Sequence, residues 1–247
     1  MSLEFLSWLL AGAAAGGFVN GLAGFGTALF ALAFWLNILP PKQAVAVILI
    51  MSTVGSVQGL FFVRSTIAAN SGRLLQFLLP ALAGVPFGLM LLEYVEAGTL
   101  KLVIGFFMLF YGGFFILRRS LPLLVGNHGY TQAAIGFVSG VLGGAASLSG
   151  ALPTMWCALR PWPKAEQRAV LQPFSVVVLA VAGVIMFTKG VYDRQTLILI
   201  TITLPITLLT AHLGLVVYHR LRDTQFKRLL IILMFVSGFA ILAGELV

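Results

Sequence analysis

Two short stretches of this chain place glycines and small polar side chains where a membrane helix would carry leucine. The first holds Asn20, Gly21, Gly24, Phe25, Gly26 and Thr27; the second holds Ser139, Gly143, Gly144, Ser147, Ser149 and Gly150. Amide and hydroxyl groups donate hydrogen bonds without bringing a charge. Glycine lets a ligand approach the backbone closely, and the free N–H groups and dipole of a helix N-terminus favour an anion. The chemistry on offer is coordination of a small anion that sheds much of its water. Further neutral donors lie on nearby apolar segments. Gln172 is grouped with the anion donors. Ser52, Gln58 and Ser175, together with His212, are candidates for gating or for carrying a coupling proton. Asp and Glu fall only in or beside loops or near the ends, as at Glu93, Glu96, Glu166, Asp193 and Asp223. A cation carrier is expected to bury a carboxylate.

Other chemistries find no support. There is no HExxH, no nucleophile–base constellation, and the single Cys157 allows neither a redox pair nor a cysteine-rich metal site. An enzyme, a metal site and a bound cofactor are not expected. The net charge of +8 marks topology in a chain of this kind, not a nucleic-acid partner.

The elements that position these residues follow from composition. The chain is 60% hydrophobic and only 9% charged, with mean hydropathy +1.06, whereas a soluble domain is about 25% charged. Apolar runs recur along its length, so the expected fold is an all-α polytopic protein of the lipid bilayer. The start, "MSLEF", lacks a basic n-region, so the first apolar segment is read as part of the fold. Charges and turn signals divide the chain into segments at 3–39, 43–63, 73–92, 99–117, 130–159, 169–188, 195–218 and 225–244. The first is interrupted at the quoted glycines and the fifth by "GGAASLSG".

The halves resemble each other. "GFVNGLAGFG" matches "GFVSGVLGGA", each runs to a Pro-Lys corner (Pro41-Lys42 and Pro163-Lys164), and Leu79-Pro80 recurs as Leu204-Pro205. The reading is a single membrane domain of two repeats, 3–119 and 130–247, each a glycine-broken hairpin plus three transmembrane helices. Broken helices at corresponding positions of a repeat point to a transporter-type site.

Sidedness separates two topologies. If each broken segment crosses once, the 15 Lys and Arg residues divide nine to six. If each enters and returns, Arg64, Arg73, Arg118, Arg119, Arg160, Lys164, Arg168, Arg220, Arg222, Lys227 and Arg228 share one side, leaving Lys42, Lys101, Lys189 and Arg194 on the other. That division, eleven to four, is a clear positive-inside pattern. It also leaves each half an odd number of full crossings, which makes the repeats inverted. The arms 130–142 and 150–159 are too short to span, since a crossing needs ~20 residues. The expectation is six full spans plus two helical hairpins reversing at Gly21–Gly26 and within 139–150, with both termini outside. The arms 3–19 and 25–39 are borderline in length, and full-length hairpins would give ten crossings with the same sidedness. The two tips then face each other near the midplane.

Small residues also serve ordinary helix packing. Gly17 and Gly136 are assigned to packing. Cys157 is read as a small packed hydrophobe, and Phe25 as a residue that touches or occludes the tip. His212 carries either a coupling proton or a packing or interfacial role. Arg168 is read as a cytoplasmic surface charge, with a vestibule role for an anion as the alternative.

"GFVNGLAGFGTAL" resembles the first-helix motif of the sulfite exporter TauE/SafE family in its GxxGFG variant. "GFVSGVLGG" resembles the start of that family's second motif, and "PKAEQRAVL" the corner after its second hairpin. The resemblance covers the whole chain. The chain departs from the family's frequent glycine triplet and following proline: it has Gly24-Phe25-Gly26-Thr27, and Gly143-Gly144-Ala145 with Pro153 later. The resemblance implies inverted repeats, export or uptake of sulfite or an organosulfonate across a bacterial inner membrane, and energy from the proton gradient. An uncoupled, channel-like anion pathway is the alternative, and a homodimer is left open.

Overall fold

A computed structural model describes residues 2–117, 124, 126, 129–222 and isolated positions from 224 to 242, without the side chains of 58, 59, 61–65, 114, 115, 117 and 164. Segment eight (225–244), Arg118, Arg119 and the side chains of Gln58 and Arg64 therefore lie largely or wholly outside the described residues. Among those residues the fold is all-α. Helix α1 spans Leu3–Ala23, α2 Thr27–Trp35, α3 Pro41–Ala69, α4 Ser71–Leu92, α5 Ala97–Leu117, α6 Gly129–Ala146, α7 Ala151–Ala158, α8 Lys164–Thr188 and α9 Arg194–Arg220.

Local chemistry sets these boundaries. The Ser2 hydroxyl accepts from the Phe5 N–H at 3.1 Å and starts α1. Gly24 ends it in the left-handed region at φ 79°, its N–H donating to the Asn20 carbonyl. Gly26, at φ 100°, precedes α2. Only glycine takes such angles without steric cost. The expected Pro-Lys corners open the two long inner helices, with Pro41 as the first residue of α3 and Pro163 capping α8.

Both broken segments reverse. The Trp35 indole donates to the Leu9 carbonyl at 3.0 Å, and Gly16 packs on Thr27 and Ala31, so α2 runs back along α1. In the second hairpin the Leu124 N–H reaches the Leu159 carbonyl at 2.8 Å, which returns the end of α7 to the segment preceding α6. The breaks are narrower than expected. Asn20 and Gly21 remain inside α1, and Ser139, Gly143 and Gly144 inside α6, so the chain turns at 24–26 and 147–150. The arms are unequal. At 1.5 Å per residue, α1 is about 31 Å long and a full span, whereas α2 and α7 cover less than half a bilayer.

Six full spans were expected. Among the described residues four helices are long and apolar enough: Leu3–Ala23, Ser71–Leu92, Ala165–Thr188 and Arg194–Arg220. In α3 and α5 the described apolar stretches are Pro41–Val57 and Ala97–Gly113, each ending where the described side chains are interrupted.

Packing partners are exchanged between halves. Helix α1 packs chiefly on α9, α6 chiefly on α4, and α3 on α8. Small residues allow this closeness. A Cβ on Gly17 would meet the Thr207 carbonyl oxygen at 2.6 Å, and one on Gly144 the Val85 carbonyl at 2.5 Å. Gly17 and Gly136 are packing residues, as the sequence predicts.

Polar contacts sort the charged residues to two ends. At one end Arg73 pairs with Glu166 at 3.0 Å and Arg160 donates to the carbonyls of Leu124 and Gly126. At the other, Lys101 donates to Asn37, Lys189 to Glu93 and Gln43 to Thr196. This grouping follows the hairpin division of charge. The single-crossing alternative would set Arg73 and Glu166 on opposite sides.

Candidate functional site

The two turns meet. A Cβ on Gly150 would lie 2.6 Å from the Phe25 Cβ, so the tip of one hairpin rests on the other. Between them lies a cavity lined by Asn20, Phe25, Gly26, Leu29, Ser52, Ser56, Ser147, Leu148, Ser149, Gly150, Ala151, Ser175 and Leu179. Its free volume is about 10 Å³, close to the room one water needs. In this conformation the space admits about one water, and Phe25 forms part of its wall.

The polar groups facing this space are undersatisfied. Asn20 Nδ2 and the hydroxyls of Ser147, Ser149 and Ser175 are buried without a hydrogen-bond partner among the described residues. Each such group costs about 1–3 kcal/mol if it stays unpaired. The first turns of α2 and α7 begin at the cavity, and neither N-cap supplies a side-chain hydrogen bond. Four donor-capable groups and two helix N-termini thus converge on one small volume with no carboxylate among its lining residues. Backbone strain sits there too. Ser147 adopts φ 57°, the one non-glycine among the described residues with positive φ. For a side-chain-bearing residue this costs about 1–2 kcal/mol, and such outliers cluster at functional sites.

Ser52 and Ser175, expected as gating residues, line the cavity itself. Ser56 was not singled out by the sequence; its hydroxyl donates to Asn20 Oδ1 at 3.0 Å and orients that amide. Thr27 and Ser139 are buried with unpartnered hydroxyls but do not line the cavity. Gly143 packs on Ser149 and Val178, while Gly21 and Gly144 sit against helix backbones; all three are packing positions. His212 lies exposed on α9, away from its buried face at Thr207, Ala211 and Gly214, and does not line the cavity. Burial of the Cys157 thiol is as expected.

Arg168 corrects the surface reading. It is only 5% exposed and joins the two halves. Nη2 donates to the Gly21 carbonyl at 3.0 Å, Nε donates to Gln172 Oε1 at 2.8 Å, and the guanidinium lies 4.2 Å from the Tyr218 ring centroid. Gln172 in turn donates to the Ser56 carbonyl at 2.7 Å, so it braces the cavity from behind. Gly24 packs against this pair. Arg168 Nη1 has no hydrogen-bond partner. A buried cation beside the first tip adds positive potential for an anion, screened far less than a surface charge. The sequence signal was Arg168 at i and Gln172 at i+4, one helix face pointing inward.

Paired broken hairpins whose tips enclose a polar cavity inside an apolar bundle are the arrangement of a membrane permease, irregular backbone at that depth being tolerated where it is buried in protein or lines a cavity. Within that class the chain belongs to the sulfite exporter TauE/SafE family, whose family model matches residues 8–241. No curated protein and no solved structure matches the chain.

Proposed function

We propose that the protein is a secondary transporter for a small sulfur-containing oxyanion such as sulfite or an organosulfonate, bound between the two hairpin tips. The observation that carries this reading is the convergence of Asn20, Ser147, Ser149 and Ser175, all unpartnered and buried, on one cavity beside two uncapped helix N-termini. Arg168 supplies the nearby positive charge. The exchanged packing of α1 on α9 and α6 on α4 supports an inverted duplication with repeats at 3–119 and 130–247. The charge division supports a bacterial inner-membrane protein with the Arg73–Arg160 end in the cytoplasm and both termini outside.

With room for about one water, the cavity must open to admit a larger anion, and opening to one side at a time is alternating access. A space that must widen to admit its anion favours a carrier over an open pore. Proton coupling follows the family and is proposed without His212.

The test is flux into proteoliposomes with sulfite, sulfoacetate and sulfate, each with and without a pH gradient. Saturable, gradient-stimulated flux of one sulfur anion is expected. Ser149→Leu, which fills the cavity, is expected to abolish that flux while the protein still folds. Arg168→Lys should retain more flux than Arg168→Gln, because the charge stays. Non-saturating flux indifferent to the gradient would instead support the channel-like reading. No anion flux at all would overturn both.

A further inference from the structure

A larger space lies at the Arg73–Arg160 end, between the starts of α4 and α6 and the corner joining α7 to α8. Its volume is about 380 Å³, within the range of small-molecule sites and far above that of the tip cavity. Arg73, Gln132, Arg160 and Trp162 line it, with Leu124 and Gly126.

Arg160 is the unusual group. It is only 5% exposed. Its Nη1 donates to the carbonyls of Leu124 and Gly126, each at 2.8 Å, and the guanidinium lies 4.7 Å from the Trp156 ring centroid. Among the described residues its Nε and Nη2 have no hydrogen-bond partner and no carboxylate pairs with it. Gln132, 4% exposed, lines the same space, but its unpartnered Oε1 is an acceptor and offers an anion nothing. Arg73 is different: it is held over Trp162 at 4.6 Å and balanced by Glu166 at 3.0 Å. A buried arginine keeps its charge, and a buried charge is costly unless paired.

The opposite end of the molecule provides an internal control. The exchanged packing makes the space between α1 and α9 the counterpart of that between α6 and α4. A crevice of about 570 Å³ lies there, but its lining includes the Asp193 carboxylate beside Arg194. The crevice recurs at both ends, whereas the unpaired buried guanidinium belongs to one.

We propose that the Arg73–Arg160 crevice is a second anion site, taking an oxyanion group carried on a small organic body. The guanidinium fork suits a sulfonate or phosphate oxygen pair, and Trp162 with Leu124 provides apolar wall for the body. The site is separate from the tip cavity and does not depend on it.

Calorimetric titration of the detergent-solubilised full chain with ethanesulfonate tests this, with ethylammonium as the charge control. Saturable ethanesulfonate binding is expected, at least tenfold weaker in Arg160→Gln and retained in Ser149→Leu. Should Arg160→Gln fail to fold, Arg160→Lys provides the comparison, checked by its thermal melt and expected to bind more weakly. Absence of saturable binding would overturn the site. Unchanged affinity in the folded Arg160 variant, loss of all binding in Ser149→Leu, or equal binding of ethylammonium would do the same. Added phosphatidylglycerol, against phosphatidylcholine, distinguishes sources. Competition that requires Arg160 assigns the crevice to a lipid headgroup, and no competition assigns it to a water-borne anion.

Discussion

Ser147 carries both a strained backbone and an unpartnered hydroxyl, so one substitution separates stability from function. Ser147→Gly removes the steric cost of φ 57° and is expected to stabilise the protein by about 1 kcal/mol, partly offset by the greater freedom of the unfolded chain. The same change deletes a cavity donor, so anion flux should fall while the melting temperature rises. A fall in both would mean that the hydroxyl is structural. Gly26→Ala is the converse case. At φ 100° a Cβ is strained wherever it points, and a loss of about 1–2 kcal/mol is expected in thermal melts. At this scale the sequence was only partly legible. Neutral donors in two matched clusters pointed to Asn20, Ser147 and Ser149. Arg168 was misread because its position near a proline corner resembles a surface charge, and only the fold shows Gly21, Gln172 and Tyr218 closing around it. His212 was overvalued because ionisability inside an apolar run does not say which helix face it occupies.

Helices approach through glycine in two places, and there the element is the unit of argument. Gly84 and Gly88 of α4 face the α6 backbone at Phe137 and Val141, while Gly136 and Gly140 of α6 face Phe77 and Ala81 of α4. Added Cβ atoms would collide with carbonyl oxygens, which cannot yield as a flexible side chain can. Gly140→Ala is expected to destabilise the fold by about 1–3 kcal/mol, the usual range for overpacking, with lower folded yield in size-exclusion profiles. This double use of glycine explains why the breaks were drawn too wide. Gly21, Gly143 and Gly144 carry the same residue type as Gly24 and Gly26 but pack inside helices, and sequence does not separate a packing glycine from a turning one. Helix ends give a second test. Asp193 caps α9 by accepting from the Thr196 N–H at 2.8 Å, which holds its carboxyl below the usual value. The Glu93 carboxyl is lowered by its hydrogen bond to Lys189. A lowered folded pKa contributes stability above the unfolded value of about 4 and loses it as pH falls through the folded value. Melting temperature should therefore decline below about pH 4. The decline should be shallower in Asp193→Asn and in Glu93→Gln.

For the whole molecule, the distribution of charge carries the argument. The count that favoured hairpins over single crossings grouped Arg73 with Arg160 and Lys101 with Lys189, and the contacts at the two ends follow that grouping. The broad plan was legible because bilayer length and backbone satisfaction leave few options for an apolar chain of this kind. The unequal hairpin arms were not, because composition cannot distinguish an apolar residue that spans lipid from one buried against another helix. Which end faces the cytoplasm is open to a direct measurement, helped by the single Cys157, which is fully buried. Tyr94 follows the C-terminal end of α4, beside the Glu93–Lys189 pair, and is 84% exposed. Tyr130 lies at the start of α6, near the Arg73–Arg160 end, and is 97% exposed. In a Cys157→Ala background, a membrane-impermeant maleimide should label Tyr94→Cys on intact cells and Tyr130→Cys only after lysis, as the positive-inside rule expects of the basic end. The reverse pattern would invert the orientation and leave the fold intact. Labelling of both from one side would break the assignment of the two ends, and with it the placement of the tips between them.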